Sequence, residues 1–445
     1  MDDSSMLLNA FFVIASILAI ILLTSRWKFN VFASLFSVSF VLALLTIPMP
    51  KVIDLLKVSF GNTMGGIAFV IIFGTVIAIC MEKSGAVRSI ASHILNFTGK
   101  RRAKQATALT GFIPGLTIFC DTGFIILSGI AKNFSAQSKT AMPLMAAILG
   151  CSLYAAHCLI PTHPGALGAA VELDANIGYL VVFGILFAIP GAIAAYFWAT
   201  LMSKGQNFEP AKEETTIVSE DLTKLPSFKA SLLPILLPLL LISISTLFSA
   251  LGLKTGSVAE IIHFLGNPVI ALLIGAIIGL TLFKKKGKES LSEVIEEAIG
   301  KAGPILIITA SGGMFGSIIR ETGVGGALGE LLSGASVSLL VPFILAALLK
   351  TAQGSSTVAA LTTAGIVTPI LTHLGLDSEM GRVFTVLALG AGSAVVSHAN
   401  DSYFWVVTKF SDIEVDQSLR VFTTSTFVMG VVMFICIWVT SLFIL

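Results

Sequence analysis

Gly111-Phe112-Ile113-Pro114-Gly115-Leu116-Thr117-Ile118-Phe119-Cys120-Asp121-Thr122-Gly123 interrupts an apolar stretch running over residues 105–131. Pro114 lacks an amide donor, and the glycines weaken helix continuity. Backbone opened at membrane depth must face protein or water, because lipid offers no hydrogen bonds. Asp121 places a carboxylate inside that apolar stretch. It suits either a capped helix end or a proton- or ion-coupling site, since intramembrane acids are costly and tend to be functional.

The chain around this stretch is built for a bilayer. Of 445 residues, 55% are hydrophobic and 12% charged, with a mean hydropathy of +0.95. Soluble domains are nearer a quarter charged. Continuous apolar spans cover about 6–24, 30–47, 65–81, 141–158, 177–201, 230–250, 267–283, 303–319, 383–397 and 421–444. These approach the length that crosses a hydrocarbon core of about 30 Å. The start, Met1-Asp2-Asp3-Ser4-Ser5, is acidic where a secretory signal is basic, so the run from Met6 to Leu23 is expected to be a retained membrane helix.

A second interrupted stretch covers 338–371 and contains Lys350-Thr351-Ala352-Gln353-Gly354-Ser355-Ser356-Thr357. A helix restarting at Ser355 would present free amides and a positive dipole end to a carboxylate. Ser and Thr would equally cap such a helix with no ligand. Lys350 is expected to snorkel towards an interface. Two further loops carry polar groups, His157-Cys158-Leu159-Ile160-Pro161-Thr162-His163-Pro164-Gly165 and Ser397-His398-Ala399-Asn400-Asp401-Ser402. Glu82, Arg320 and Glu321 sit just past span ends, as interfacial anchors do.

Sliding the chain along itself by one constant shift superposes Gly65 on Gly303, Gly74 on Gly312 and Gly85 on Gly323. A slightly longer shift superposes His157 on His398. Basic clusters orient the spans, because Lys and Arg near helix ends favour the cytoplasm. Arg26 with Lys28, then Lys100, Arg101, Arg102 and Lys104, then Lys284, Lys285, Lys286 and Lys288 fall on one side under one condition. Both termini must lie outside, and each interrupted stretch must cross an even number of times, as a re-entrant hairpin does. The expected fold is therefore an all-α polytopic membrane protein with two inverted-topology repeats, each holding an interrupted re-entrant hairpin. Residues 1–202 form the first half with hairpin 105–131, and 203–229 a polar cytoplasmic linker. Residues 230–445 form the second half with hairpin 338–371. Inverted repeats with broken helices are a recurrent plan of secondary transporters.

Several classes are excluded or disfavoured. No basic patch with interleaved aromatics points to nucleic acid, and no GxSxG, HExxH or Walker loop points to an enzyme. The cysteines, Cys80, Cys120, Cys151, Cys158 and Cys436, lie in apolar segments without a CxxC and read as small buried hydrophobes. No metal site is expected, because nothing completes a ligand set around the histidines. An anion channel would need a continuous polar pore, whereas the polar loops here are isolated.

The segments Thr351-Ala352-Gln353-Gly354-Ser355-Ser356-Thr357-Val358-Ala359 and Gly390-Ala391-Gly392-Ser393 through Ser397-His398-Ala399-Asn400-Asp401-Ser402-Tyr403-Phe404-Trp405 resemble the signature motifs of the gluconate permease family, part of a larger ion transporter superfamily. His157 to Gly165 is similar to the family's H-x3-PPHPGP loop. The resemblance implies proton-coupled uptake of gluconate or a related hydroxy-acid anion across a bacterial inner membrane, with no cofactor. Thr162 and Ala166 replace prolines of that pattern and Asp121 replaces a glutamate, which leaves a shorter hydroxy acid such as glycerate as an alternative substrate. D-serine is another substrate that the resemblance implies, and sodium is an alternative coupling ion because hydroxyl and carbonyl oxygens also suit it. On this basis the substrate-binding candidates are Gln353, Gly354, Ser355, Ser356, Thr357, His157, His163 and Asn400, and the ion-coupling candidates are Asp121, Asp401 and His398. A homodimer is expected by analogy alone.

Overall fold

In a bilayer, a chain satisfies its own backbone by coiling, and this one does so almost throughout. The computed structural model describes residues 3–27, 29–98, 102–211, 225–253, 255–284, 291–322 and 338–445, and their regular structure is helical. Lys28, Lys100, Arg101, Lys285, Lys286 and Lys288, the repeat positions 323–329, and linker residues 212–224 with their acidic pairs lie outside the described residues. The first half comprises α1 (Asp3–Ser25), α2 (Val31–Thr46), α3 (Met49–Lys83), α4 (Ala86–Thr98), α5 (Ala103–Gly115), α6 (Cys120–Ser138), α7 (Met142–Leu159), α8 (Pro164–Glu172) and α9 (Ile177–Ser203). The second comprises α10 (Phe228–Ala250), α11 (Ser257–Leu265), α12 (Pro268–Lys284), α13 (Leu291–Glu321), α14 (Leu340–Gln353), α15 (Ser356–Val367), α16 (Glu379–Ser393), α17 (Ser402–Phe410) and, entered through a helical turn (Val415–Ser418) and a π-helical turn (Leu419–Thr423), α18 (Thr424–Ile444).

Six of the described helices are long and apolar enough to cross a membrane, or up to seven if the bent pair α11–α12 is one span. The expected spans fall on helices, with departures at their ends. Helix α3 starts well before its apolar run and reaches 35 residues, about 52 Å at the helical rise. It must tilt within a hydrocarbon core of about 30 Å, or emerge from it. Glu82 accordingly lies in its last turn rather than beyond it. Helix α16 stops at Ser393, short of the expected end at Ser397.

The interrupted stretches are helical hairpins. Gly111 of α5 lies against Leu149 and Ser152 of α7, and Gly115 lies against Leu153. Helix α5 therefore runs alongside α7 in the same direction. Helix α6 joins α7 through a tight turn at Lys139, which takes φ 52°, and so runs back against α5. The arms α5, α14 and α15 have 13, 14 and 12 residues, about 18–21 Å, too short to cross alone. Pro114 ends the first arm one residue before its last. Gly354 ends α14 at φ 91°, where a side chain would run into the Asn400 carbonyl.

Helix α7 is buried along its whole length. Small residues let its neighbours approach closely, as they do in membrane bundles: Gly150 meets Phe422 and Val407, and its carbonyl accepts the Tyr403 hydroxyl at 2.9 Å. Helices α3 and α13 pack along each other, and α13 also carries α15. There the Gly365 and Gly312 backbones touch, with Gly316 beside them.

The starts of α5, α6, α7 and α8 recur at α14, α15, α16 and α17 with a nearly constant offset along the chain. This corrects the pairing of His157 with His398. His157 lies inside α7, whereas His398 lies beyond the end of α16. The second break, 394–401, is twice as long as the first, 160–163, which displaces the sequence match. The equivalent positions are instead His163 and Asp401, the N-caps of α8 and α17.

Gly365→Ala should wedge α15 from α13 and cost about 1–3 kcal/mol, the usual penalty of overpacking. Gly129→Ala, which meets nothing within 4 Å on α6, should be neutral or slightly stabilising. Thermal unfolding of the two purified variants in detergent compares them.

Candidate functional site

Four helices begin at one place. Gly165 of α8 meets Thr357 of α15, and Gly168 meets Leu361, so these two helices lie side by side, in parallel, start against start. The Phe124 and Tyr403 rings stand edge to face at 6.2 Å, which brings the starts of α6 and α17 together. Each pair takes one helix from each half, and the repeat offset exchanges one pair for the other. Parallel neighbouring dipoles repel, and an anion at their shared positive end offsets that repulsion.

Between these starts lies a cavity of about 290 Å³. Its walls are Phe119, Cys120, Asp121 and Thr122 from α6, Pro164 from α8, Ser355, Ser356 and Thr357 from α15, and Asp401, Ser402 and Tyr403 from α17. Tyr154 and His157 of α7 and Lys301 and Ile305 of α13 complete the lining. Ser355 both lines the cavity and caps α15, accepting from the Val358 amide at 3.3 Å. The residues at the N-caps of α6 and α8, Phe119 and His163, make no side-chain capping bond.

The two acids differ in their surroundings. Asp401 is tied on every side. Its Oδ2 accepts from Lys350 Nζ and Ser397 Oγ, both at 2.5 Å, and its Oδ1 caps α17 through the Tyr403 amide at 3.0 Å. Lys350 is 0% exposed, donates also to the Gly354 carbonyl at 2.6 Å, and lies 5.5 Å from the Tyr154 ring centre. This corrects the expectation that Lys350 snorkels to an interface: Asp401 holds it inside, as buried charges require a partner. In contrast, Asp121 Oδ1 is buried with no hydrogen-bond partner among the described residues. Buried polar atoms are rarely left so, and His157 Nδ1, Thr117 Oγ1, Gln353 Nε2 and Asn400 Oδ1 share the condition.

The other sequence candidates separate by position. Asp121, Asp401, His157, Ser355, Ser356 and Thr357 meet at the cavity. His163, His398, Asn400, Gln353 and Gly354 stand behind it, at the hairpin tips. His163 Nε2 bonds the Gly115 carbonyl at 2.7 Å, beside the Thr162 hydroxyl on Leu116 at 2.5 Å. Asn400 and His398 both reach the Thr351 carbonyl, at 2.7 and 3.1 Å. Each loop thus holds the hairpin of its own half. The His157 and His163 rings lie with centres 4.7 Å apart, but no group of three metal-ligating side chains occurs among the described residues.

Cys120, Thr122, Tyr154, Tyr403, Ser402 and Lys301 line the cavity without having stood out as site residues in the sequence. Tyr154 had a signal, standing one turn before His157 on the same helix face. Lys301 had none.

A profile of GntP family permeases matches residues 8–443. The chain belongs to that family. It is a membrane permease, and its relatives are transporters, not enzymes. It is 31% identical over 421 residues to the Gnt-II system L-idonate transporter of Escherichia coli (strain K12), covering 92% of this chain and 94% of that protein. It is 30% identical to the inner membrane permease YgbN of the same organism, covering 96% of each. To the low-affinity gluconate transporter of that organism it is also 30% identical, covering 94% of this chain and 95% of that protein. Among solved structures, the Alcanivorax borkumensis YdaH transporter matches with a TM-score of 0.58 at 16% identity, covering 89% of this chain and 90% of that one. That likeness carries the fold alone.

Lys350→Met should leave Asp401 buried without its cation and cost about 3–5 kcal/mol. Adding Asp401→Asn, which keeps a capping side chain, should restore most of the folded yield. Size-exclusion profiles and melting temperatures of both variants measure this.

Proposed function

We propose that this permease imports gluconate or a closely related sugar-acid anion across a bacterial inner membrane by proton symport. The observation that carries the reading is the meeting of four helix starts around a cavity in which Asp121 is the acid left without a partner. The substrate carboxylate lies against the amides and hydroxyls of Ser355, Ser356 and Thr357, where the α8 and α15 dipoles add. His157 and the neighbouring hydroxyls take the polyol chain. The named substrates of two relatives, gluconate and L-idonate, are both sugar acids, which supports the class.

Charge balance supports the proton. Lys350 and Asp401 neutralise each other and Lys301 is paired with Glu297, so Asp121 is the cavity's uncompensated charge. A substrate carboxylate beside it would set two like charges in one low-dielectric site, and such pairs do not both stay ionised. A proton on Asp121 removes the conflict and rides with the substrate. The exchange of the two helix pairs by the repeat offset is the arrangement expected of halves inverted across the bilayer, which present one site to each face in turn.

Proteoliposomes containing the wild-type chain should accumulate labelled gluconate saturably when a proton gradient is imposed. Asp121→Asn should lose accumulation while retaining gluconate exchange at equal concentrations. Accumulation that ignores the proton gradient and requires sodium overturns proton coupling. Full accumulation by Asp121→Asn removes that carboxylate from the mechanism.

A further inference from the structure

Helix α13 presents one stripe of three residues at helical spacing: Glu297, Lys301 and Ile305. Lys301 and Ile305 line the cavity, while Glu297, one turn earlier on the helix, does not. Lys301 Nζ bonds Glu297 Oε1 at 2.7 Å, and Glu297 Oε2 also bonds Lys83 Nζ of α3 at 2.8 Å. Glu82 belongs to the same charged group. The Lys301 side chain is 41% exposed, so the cavity reaches open surface here. Helix α13 is also loosened at this point, since Pro304 offers no amide to the Gly300 carbonyl.

A half-exposed lysine in a short ion pair is ordinarily a surface feature of little energetic weight. This one differs in facing the cavity as well as its partner. Among the described residues Lys301 is the lysine in the cavity wall, while Lys350, held by Asp401, does not line it. Glu297 has a second cation, Lys83, to hold it when Lys301 turns away.

We propose that Lys301 is an anion-receiving residue at the mouth of the cavity, whose ammonium exchanges Glu297 for the substrate carboxylate as substrate passes between solvent and the helix starts. Glu297 is then a built-in competitor that keeps the ammonium placed when no substrate is near. This rests on the reading of the cavity as a carboxylate site. Lysine's flexible stem and rotating donors suit such a handover, whereas a planar guanidinium would hold the anion more firmly.

The test is gluconate exchange in proteoliposomes, measured for KM at low and high salt, with melting temperatures as a check on folding. Lys301→Gln should raise KM by about three- to ten-fold at low salt and flatten its salt dependence, as loss of electrostatic guidance does. Glu297→Gln should act in the opposite sense and lower KM, because the competitor is gone. Lys301→Arg should keep a low KM and its salt dependence. If the ion pair is only structural, both glutamine variants change KM in the same direction or not at all, and the proposal falls. If the wild-type protein exchanges no carboxylate, the functional reading has failed before Lys301 is tested.

Discussion

A backbone amide or carbonyl left open at membrane depth costs several kcal/mol unless something bonds it. Among the described residues this chain opens its backbone around the cavity at 116–119, 160–163, 354–355 and 394–401, and much of its polar chemistry stands beside these breaks. Side chains take up part of the deficit. His163 and Thr162 bond the first hairpin tip, and Asn400, His398 and Lys350 bond the second. What those side chains leave exposed is the set of helix starts around the cavity. The same breaks that threaten the fold thus create a region able to hold a charged solute.

The arrangement separates two kinds of intramembrane charge. Lys350 and Asp401 form a closed pair with every strong site occupied, and Tyr403 and Ser397 fix its geometry. That pair positions α17 and the second hairpin. Asp121 stands at the first hairpin with an oxygen unbonded, and a group whose bonds are incomplete is the one free to change its protonation or its partner. The asymmetry between two otherwise similar halves gives a reason for assigning structure to one acid and coupling to the other.

Much of this was legible in the residues themselves. Pro114 and Gly354 mark the hairpin tips because proline removes a helix donor and a positive φ leaves the right-handed helix. Asp121 and the Ser355–Thr357 run stood out because polar groups are rare in lipid-facing sequence. Partners distant in the chain were not legible. Lys350 reads as an interfacial lysine until Asp401, in a separate loop after the next two helices, is found against it. The crossed pairing of α6 with α17 and α8 with α15 is likewise a tertiary fact, and the unequal lengths of the two breaks turned an apparent histidine match into a mismatch. Lys301 lay in no motif, since its place at the cavity depends only on how α13 packs.

Everything proposed for transport depends on the converging helix starts holding the carboxylate of the substrate. A cryo-EM structure in lipid nanodiscs with gluconate bound tests this most directly. Density for the carboxylate should lie within hydrogen-bond distance of the Ser356 and Thr357 amides, with the polyol chain extending past His157. Gluconate seated outside this cavity, or seated within it with its carboxylate turned away from those amides, would contradict that assignment.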